Sequence, residues 1–260
     1  MIDLHAHLLP GLDDGPRTED DAVALARTSM EAGVWTIAAT PHLRHDHPRV
    51  VPAELADRCA RLMSRLRQES ITLEVVPGGE VDIHWAQQAS DDDLRLVSYG
   101  QRGKWLLVET PYGTVSDLFE ELLFRLTARG FRTLLAHPER SPSFQRRPER
   151  LRALVERGVL VQVTAHALTR SDRRDPARRL AEALVRESLA HVLASDAHRA
   201  GGRRPTGLRE GALAADQLLS GAGSYMTRVA PAAILAGQEP EPPPAPSGGR
   251  LFGLLDRRRS

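Results

Sequence analysis

The chain has 260 residues, enough for one large α/β domain or two small ones, and its 41% apolar and 27% charged residues are an ordinary globular mixture. A formal net charge of +1 gives no general electrostatic case for binding nucleic acid or an acidic membrane. The single cysteine, Cys59, excludes an intrachain disulfide; with no apolar run of about 18 residues and no basic, apolar leader before the first strand, a cytoplasmic protein is expected.

Seven short apolar runs alternate with amphipathic stretches. The runs are MIDLHAH (1–7), WTIAATPH (35–42), LEVVPGGEVDI (73–83), KWLLVET (104–110), RTLLAHPER (132–140), VLVQVTAHA (159–167) and HVLASDAH (191–198). Several are apolar almost throughout, as parallel strands covered on both faces are. After the first run, Thr18 to Ala32 predicts a helix. Thr18 can cap it, Glu19, Asp20 and Asp21 suit its N-terminus, Val23, Ala26 and Met30 share a face, and Gly33 ends it. Ser116 to Arg129, Pro148 to Arg157 and Pro176 to Leu189 read similarly. The repeats predict a distorted TIM-like (β/α)7 barrel over residues 1–236, with a doubly wound open sheet as the competitor. From residue 237 the pattern stops. QEPEPPPAPSGG (238–249) reads as an unfolded linker and 250–260 as a basic, solvated tail. Phe252, Leu254 and Leu255 among arginines offer the alternative of a short partner-binding motif.

The chemistry sits where the predicted strands end. The first run ends in His5-Ala6-His7, the second in His42, the third holds Glu80, and the fourth holds Glu109. The fifth ends in His137-Pro138-Glu139-Arg140 and the seventh in Asp196-Ala197-His198. In a β/α barrel those ends converge on one mouth. On a strand, residues i and i+2 face the same way, so His5 and His7 point together, and Asp196 and His198 repeat the spacing. His5, His7, His42, His137, His198, Glu80, Glu109, Asp196 and one of Asp13 or Asp14 make nine candidate metal ligands. Imidazoles and carboxylates without thiolate suit Mn²⁺, Zn²⁺ or Fe²⁺. Nine ligands exceed what one ion takes, so two or three ions sharing carboxylates are expected. Four carboxylates against three divalent ions leave about +2, a surplus that attracts a phosphate dianion. Arg140, and Arg203 or Arg204 beyond His198, are placed to hold phosphate oxygens.

Other residues read differently. His45 and His47 read as solvated loop residues, with the substrate entrance as the alternative; His84 lies past its strand end; His166 stands open between site and surface. His191 starts its strand and reads as structural. CARLMSR (59–65) matches the spacing of cysteine-dependent phosphatases. It lacks the glycine-rich loop they need and reads as mid-helix, where Cys59 and Arg65 diverge. No G-x-S-x-G, P-loop or dinucleotide fingerprint occurs.

The ordered pieces HAHLLPGLDDGP (5–16), ATPH (39–42), GGE (78–80), VET (108–110), AHPER (136–140) and SDAH with a following arginine (195–203) resemble the polymerase and histidinol phosphatase (PHP) superfamily. LPGLDDGP and AHPER are similar to its bacterial manganese-dependent protein-tyrosine phosphatases, found with capsule and exopolysaccharide genes. The resemblance implies a distorted (β/α)7 barrel and a trinuclear Mn²⁺ site held by His5, His7, Asp14, His42, Glu80, Glu109, His137, Asp196 and His198. Arg140 and Arg203 would bind phosphate, with Arg204 as the rival because RAGGRRP carries an extra arginine. Strand six also departs: it reads QVTAHALT where the family more often has asparagine and a small residue. The implied reaction is hydrolysis of a phosphomonoester by metal-bound hydroxide. The implied partner is the phosphotyrosine tail of an autophosphorylating kinase of polysaccharide export, with no nucleic acid and no membrane insertion. The alternatives are a histidinol-phosphatase type enzyme, a PHP nuclease, which the charge balance disfavours, and an inactive scaffold, which an intact ligand set disfavours.

Overall fold

The computed structural model describes residues 1–201 and 207–245; Arg203, Arg204 and the expected 250–260 tail lie outside them. Among the described residues, nine parallel strands run β1 (Ile2–Ala6), β2 (Thr36–Ala39), β3 (His42–Leu43), β4 (Glu74–Pro77), β5 (Glu80–Val81), β6 (Trp105–Glu109), β7 (Arg132–Ala136), β8 (Leu160–Thr164) and β9 (Val192–Ala194). They form a three-stranded sheet, β1-β2-β4, and a six-stranded sheet, β3-β5-β6-β7-β8-β9. The seven predicted runs are all present, but the second and third are each split in two. Pro41 has no N–H for the ladder and separates β2 from β3. Gly78-Gly79 separates β4 from β5, and a Cβ on Gly79 would sit 2.3 Å from Leu43 Cδ2. At each of these two breaks the chain passes from the three-stranded to the six-stranded sheet, returning between them from β3 to β4, which is the distortion in the barrel.

The barrel is not closed by a continuous ladder. Between β9 and β1 there is one isolated bridge, Ala6 to Ala197. His7 N donates to Ala197 O at 2.9 Å and Asp196 N to His5 O at 2.8 Å. Buried Asp3 reinforces this seam by accepting from the amides of His5 and Ser195 at 3.2 and 3.1 Å. Candidate ligands thus lie on both sides of the join that brings chain start and chain end together.

The predicted helices form for the reasons read from sequence. Glu19–Glu31 has a reciprocal cap: Thr18 Oγ1 accepts from Asp21 N, and Asp21 accepts from Thr18 N, both at 3.1 Å. It buries Ala22, Val23, Leu25 and Ala26, and Gly33 takes φ +87° just beyond its end. Asp117–Ala128, Glu149–Glu156 and Pro176–Arg186 match the other three expectations. Cys59 lies buried in the helix Leu55–Gln68, its thiol pushed up to about 12 by burial, and Arg65 turns away to pair with Glu69 and Asp20.

Residues 238–245 form neither helix nor strand, but they are not the unattached linker expected from their prolines. Trp105 Nε1 donates to Gln238 O at 2.9 Å, Tyr225 OH to Glu241 O at 2.7 Å and Ser188 Oγ to Pro244 O at 2.5 Å. Prolines remove donors and leave carbonyls, so the segment is tied down as an acceptor by side-chain donors of the barrel.

Candidate metal centre

The strand ends deliver their polar side chains to one place. Glu80, at the start of β5, is the hub. Its Oε2 lies 3.0 Å from His42 Nδ1, 3.3 Å from His5 Nε2 and 3.4 Å from His7 Nε2, and its Oε1 lies 2.9 Å from His137 Nε2. Asp196 is a second hub: Oδ1 is 3.4 Å from both His5 Nε2 and His7 Nε2, while Oδ2 accepts from Arg140 Nη1 at 2.5 Å. Asp14 closes the outer side, 3.1 Å from His198 Nε2 and 3.7 Å from His42 Nε2. Glu109 Oε2 stands 3.9 Å from His42 Nδ1.

Among the described residues, four groups could each hold a cation: His7-Asp14-His42-His198, His5-His7-Asp196, His5-Glu80-His137 and His42-Glu80-Glu109, with ligand atoms within 4.8 Å of one another. All nine ligands implied by sequence fall in these groups, and the groups contain no other residue. Four residues, His5, His7, His42 and Glu80, are shared between groups; the Glu80 carboxylate can bridge two ions, whereas each imidazole can serve one, so the four groups correspond to fewer than four ions. Arg140 lies beside them on the short turn Pro138–Arg140.

The donor set fits divalent cations on chemical grounds. The inward atoms His5 Nε2, His7 Nε2, His42 Nδ1 and Glu80 Oε2 are buried and make no hydrogen bond. Buried polar atoms without partners are costly, and four meeting at one point have the right geometry for shared coordination. The outward ring atoms are held. His5 Nδ1 donates to Gln162 Oε1 at 3.0 Å, and His7 Nδ1 donates to Asp13 Oδ2 at 2.7 Å. Both bonds direct the Nε2 lone pair into the cluster.

Electrostatics follow from this crowding. Burial opposes the charged form of Asp13, but His7 and the amides of Gly15 and His42 outweigh it and hold the carboxyl at about 2. Burial likewise works against Asp196, and His5, His7 and Arg140 still keep it well below the usual carboxylate range. Burial raises the Glu109 carboxyl and its neighbour Glu80 adds to the rise, while Arg44 Nη1 at 3.3 Å partly offsets both. Two cluster residues also carry backbone strain: His137 at φ +36° and Asp196 at φ +51° occupy the left-handed region without being glycine. Such positions cost about 1–3 kcal/mol each and gather at functional sites.

The sequence left Asp13 and Asp14 as alternatives from spacing; the fold separates them, with Asp14 facing the rim and Asp13 behind His7. Gln162 and Arg44 escaped the sequence reading. Gln162 was visible as a lone amide inside an apolar strand, whereas Arg44 carries no local signal. The Asp196-x-His198 spacing is present, but β9 stops at Ala194, so the bridge to β1 and not a strand holds the pair. His47 stacks on His42 with ring centroids 5.3 Å apart, closer to the site than a solvated loop residue, while His45 is exposed. His84 is exposed in the helix Ile83–Gln88. His166 sits in a short helix, Ala165–Thr169, on a cleft beside Arg140.

A family model for capsular polysaccharide synthesis, CpsB/CapC, matches residues 1–221. The chain belongs to the CpsB/CapC family. It is 34% identical over 198 residues to the tyrosine-protein phosphatase YwqE of Bacillus subtilis strain 168, covering 76% of this chain and 77% of that protein. It is 23% identical over 210 residues to the tyrosine-protein phosphatase CpsB of Streptococcus pneumoniae, covering 79% and 86%. Among solved structures, one from the work on YwqE and CpsB, described as unique metal-dependent tyrosine phosphatases, superposes with a TM-score of 0.82 at 31% identity, covering 94% of this chain and 99% of that one. A β-aspartyl dipeptidase from Fervidobacterium islandicum AW-1 superposes with a TM-score of 0.54 at 13% identity and shares the fold alone. The CpsB/CapC assignment agrees with the PHP-type barrel and with the rim of histidines and carboxylates. No helix among the described residues is long and apolar enough to cross a membrane.

Proposed function

We propose that this CpsB/CapC member is a metal-dependent protein-tyrosine phosphatase that uses two or three divalent ions, Mn²⁺ foremost, at the nine-residue rim. Its substrate is the phosphotyrosine tail of a bacterial tyrosine kinase of polysaccharide synthesis. The observation that carries the reading is the meeting of four buried ligand atoms that make no hydrogen bond, from His5, His7, His42 and Glu80, beside the Arg140 guanidinium.

The bound ions would supply Lewis acidity and a water activated near neutral pH. The chain does the rest. Asp13 and Gln162 hold the Nδ1–H groups of His7 and His5, which orients each Nε2 into the cluster as the nitrogen that would take an ion. Asp196 anchors Arg140 through one N–H, and the planar guanidinium has further donors for the non-bridging phosphate oxygens. Arg203 or Arg204 would add a second cation. Tyrosinate, with a conjugate pKa near 10, departs with little help from a general acid.

Metal analysis combined with kinetics on phosphotyrosine peptides, for wild type and His137→Ala, tests the proposal. Wild type should bind two or three Mn²⁺ and hydrolyse the peptides; His137→Ala should lose most turnover and a bound ion while keeping its circular dichroism spectrum. Equal or better turnover of histidinol phosphate would overturn the tyrosine-phosphatase reading.

A further inference from the structure

A cleft of about 460 Å³ opens beside the cluster, lined by Tyr112, Arg140, Gln145, His166, Arg170 and Asp175 among others. Its volume lies within the roughly 300–1,000 Å³ of small-ligand sites. Arg140 belongs to both places: its Nη1 bonds Asp196 in the cluster, and its side chain forms part of the cleft wall. A phosphoryl group held by Arg140 therefore sits at the cleft mouth, and its ester substituent has the cleft before it. Tyr112 stands at that mouth, just after β6. Its ring lies 6.3 Å from the ring of His137 at 29° and is 55% exposed. An aromatic residue this exposed next to buried charged groups has one face toward the cluster and apolar surface left for a ligand.

We infer that this cleft is the leaving-group subsite and that Tyr112 selects aryl over alkyl phosphate esters by packing against the substrate ring. The inference rests on the phosphatase reading above and deepens it. The phenol ring of a phosphotyrosine anchored at Arg140 meets Tyr112 in an offset or edge-on arrangement. The peptide on either side of it continues along Gln145 and Arg170, where Arg170 Nη1 is paired with Asp175 at 2.5 Å. An alkyl ester such as phosphoserine reaches the same ions but leaves the Tyr112 face uncovered.

The test compares wild type, Tyr112→Ala and Tyr112→Phe, each loaded with Mn²⁺, on phosphotyrosine and phosphoserine peptides of identical flanking sequence. Competitive inhibition by phenylphosphonate and methylphosphonate is measured in parallel, because it reads ring contact without leaving-group reactivity. Tyr112→Ala should lower the aryl-to-alkyl ratio, in kcat/KM and in inhibitor affinity alike, by about fivefold to tenfold, in the upper part of what one aromatic pair supplies. Tyr112→Phe should keep both ratios within about twofold. Ratios unchanged in Tyr112→Ala, with an active wild type, overturn this inference alone. No turnover of either peptide by the metal-loaded wild type overturns the enzymatic reading and this inference with it.

Discussion

His191 precedes β9 and His137 follows β7, two buried histidines at opposite ends of strands in one sheet. His191 keeps to backbone partners: its Nδ1 accepts from Val161 N at 3.2 Å, Leu189 supplies a second backbone hydrogen bond, and burial pushes its pKa down to about 4. His137 meets Glu80 at 2.9 Å, its ring lies 5.4 Å from that of His5, and its backbone is forced to φ +36°. At the base of the barrel a neutral imidazole is satisfied by backbone groups on both sides and is finished chemically. At the rim each imidazole shares carboxylates with others, and atoms are left over that nothing in the chain satisfies. A buried histidine is thus read by its company, and a set with unmet lone pairs is what distinguishes a metal centre from a packed core.

The sharpest way to break that contrast is to remove the hub. Glu80→Gln should cut metal content and phosphatase activity by more than the roughly 10–100-fold that outer partners carry, with the fold retained, as read by metal analysis and kinetics. A normal metal content in this variant would remove Glu80 from the centre. Next in size is the residue behind His7. Asp13→Asn keeps the shape but removes the charge that orients the ring, so metal affinity or turnover should fall about 10–100-fold, measured by titration with Mn²⁺.

The base should respond in stability and not in chemistry. Between pH 6.5 and about 4 the unfolded chain takes up a proton at His191 that the folded chain resists. The contribution is therefore intact above pH 6.5 and lost as pH falls toward 4, reaching about 3 kcal/mol. His191→Asn, which can still accept from Val161 N, should flatten the urea-unfolding difference between pH 7 and pH 4.5 relative to wild type. Smallest is the tether: Trp105→Phe removes the donor to Gln238 O and should cost about 1–2 kcal/mol while speeding proteolysis within 238–245.

Much of this was legible from residue order. The i, i+2 rule put His5 and His7 on one side, and they do converge, with ring centroids 5.5 Å apart. The Thr18 cap and the four expected helices were likewise local matters. The breaks at Pro41 and Gly78-Gly79 were written in the sequence too, yet nothing local says that each break moves the chain into another sheet. The cleft at Tyr112 joins loops after β6, β7 and β8, so no single stretch announces it.

The sequence by itself determined which side chains bear the chemistry and their spacing along each strand, because strand periodicity and ligand type are properties of a few neighbouring residues. Only the tertiary structure decided that Asp14 faces the rim while Asp13 supports His7, that Arg44 reaches Glu109, and that a proline-rich segment is fastened beneath the barrel. Those outcomes depend on contacts between residues tens to hundreds of positions apart, whose geometry is set when the sheets curl and the last strand meets the first.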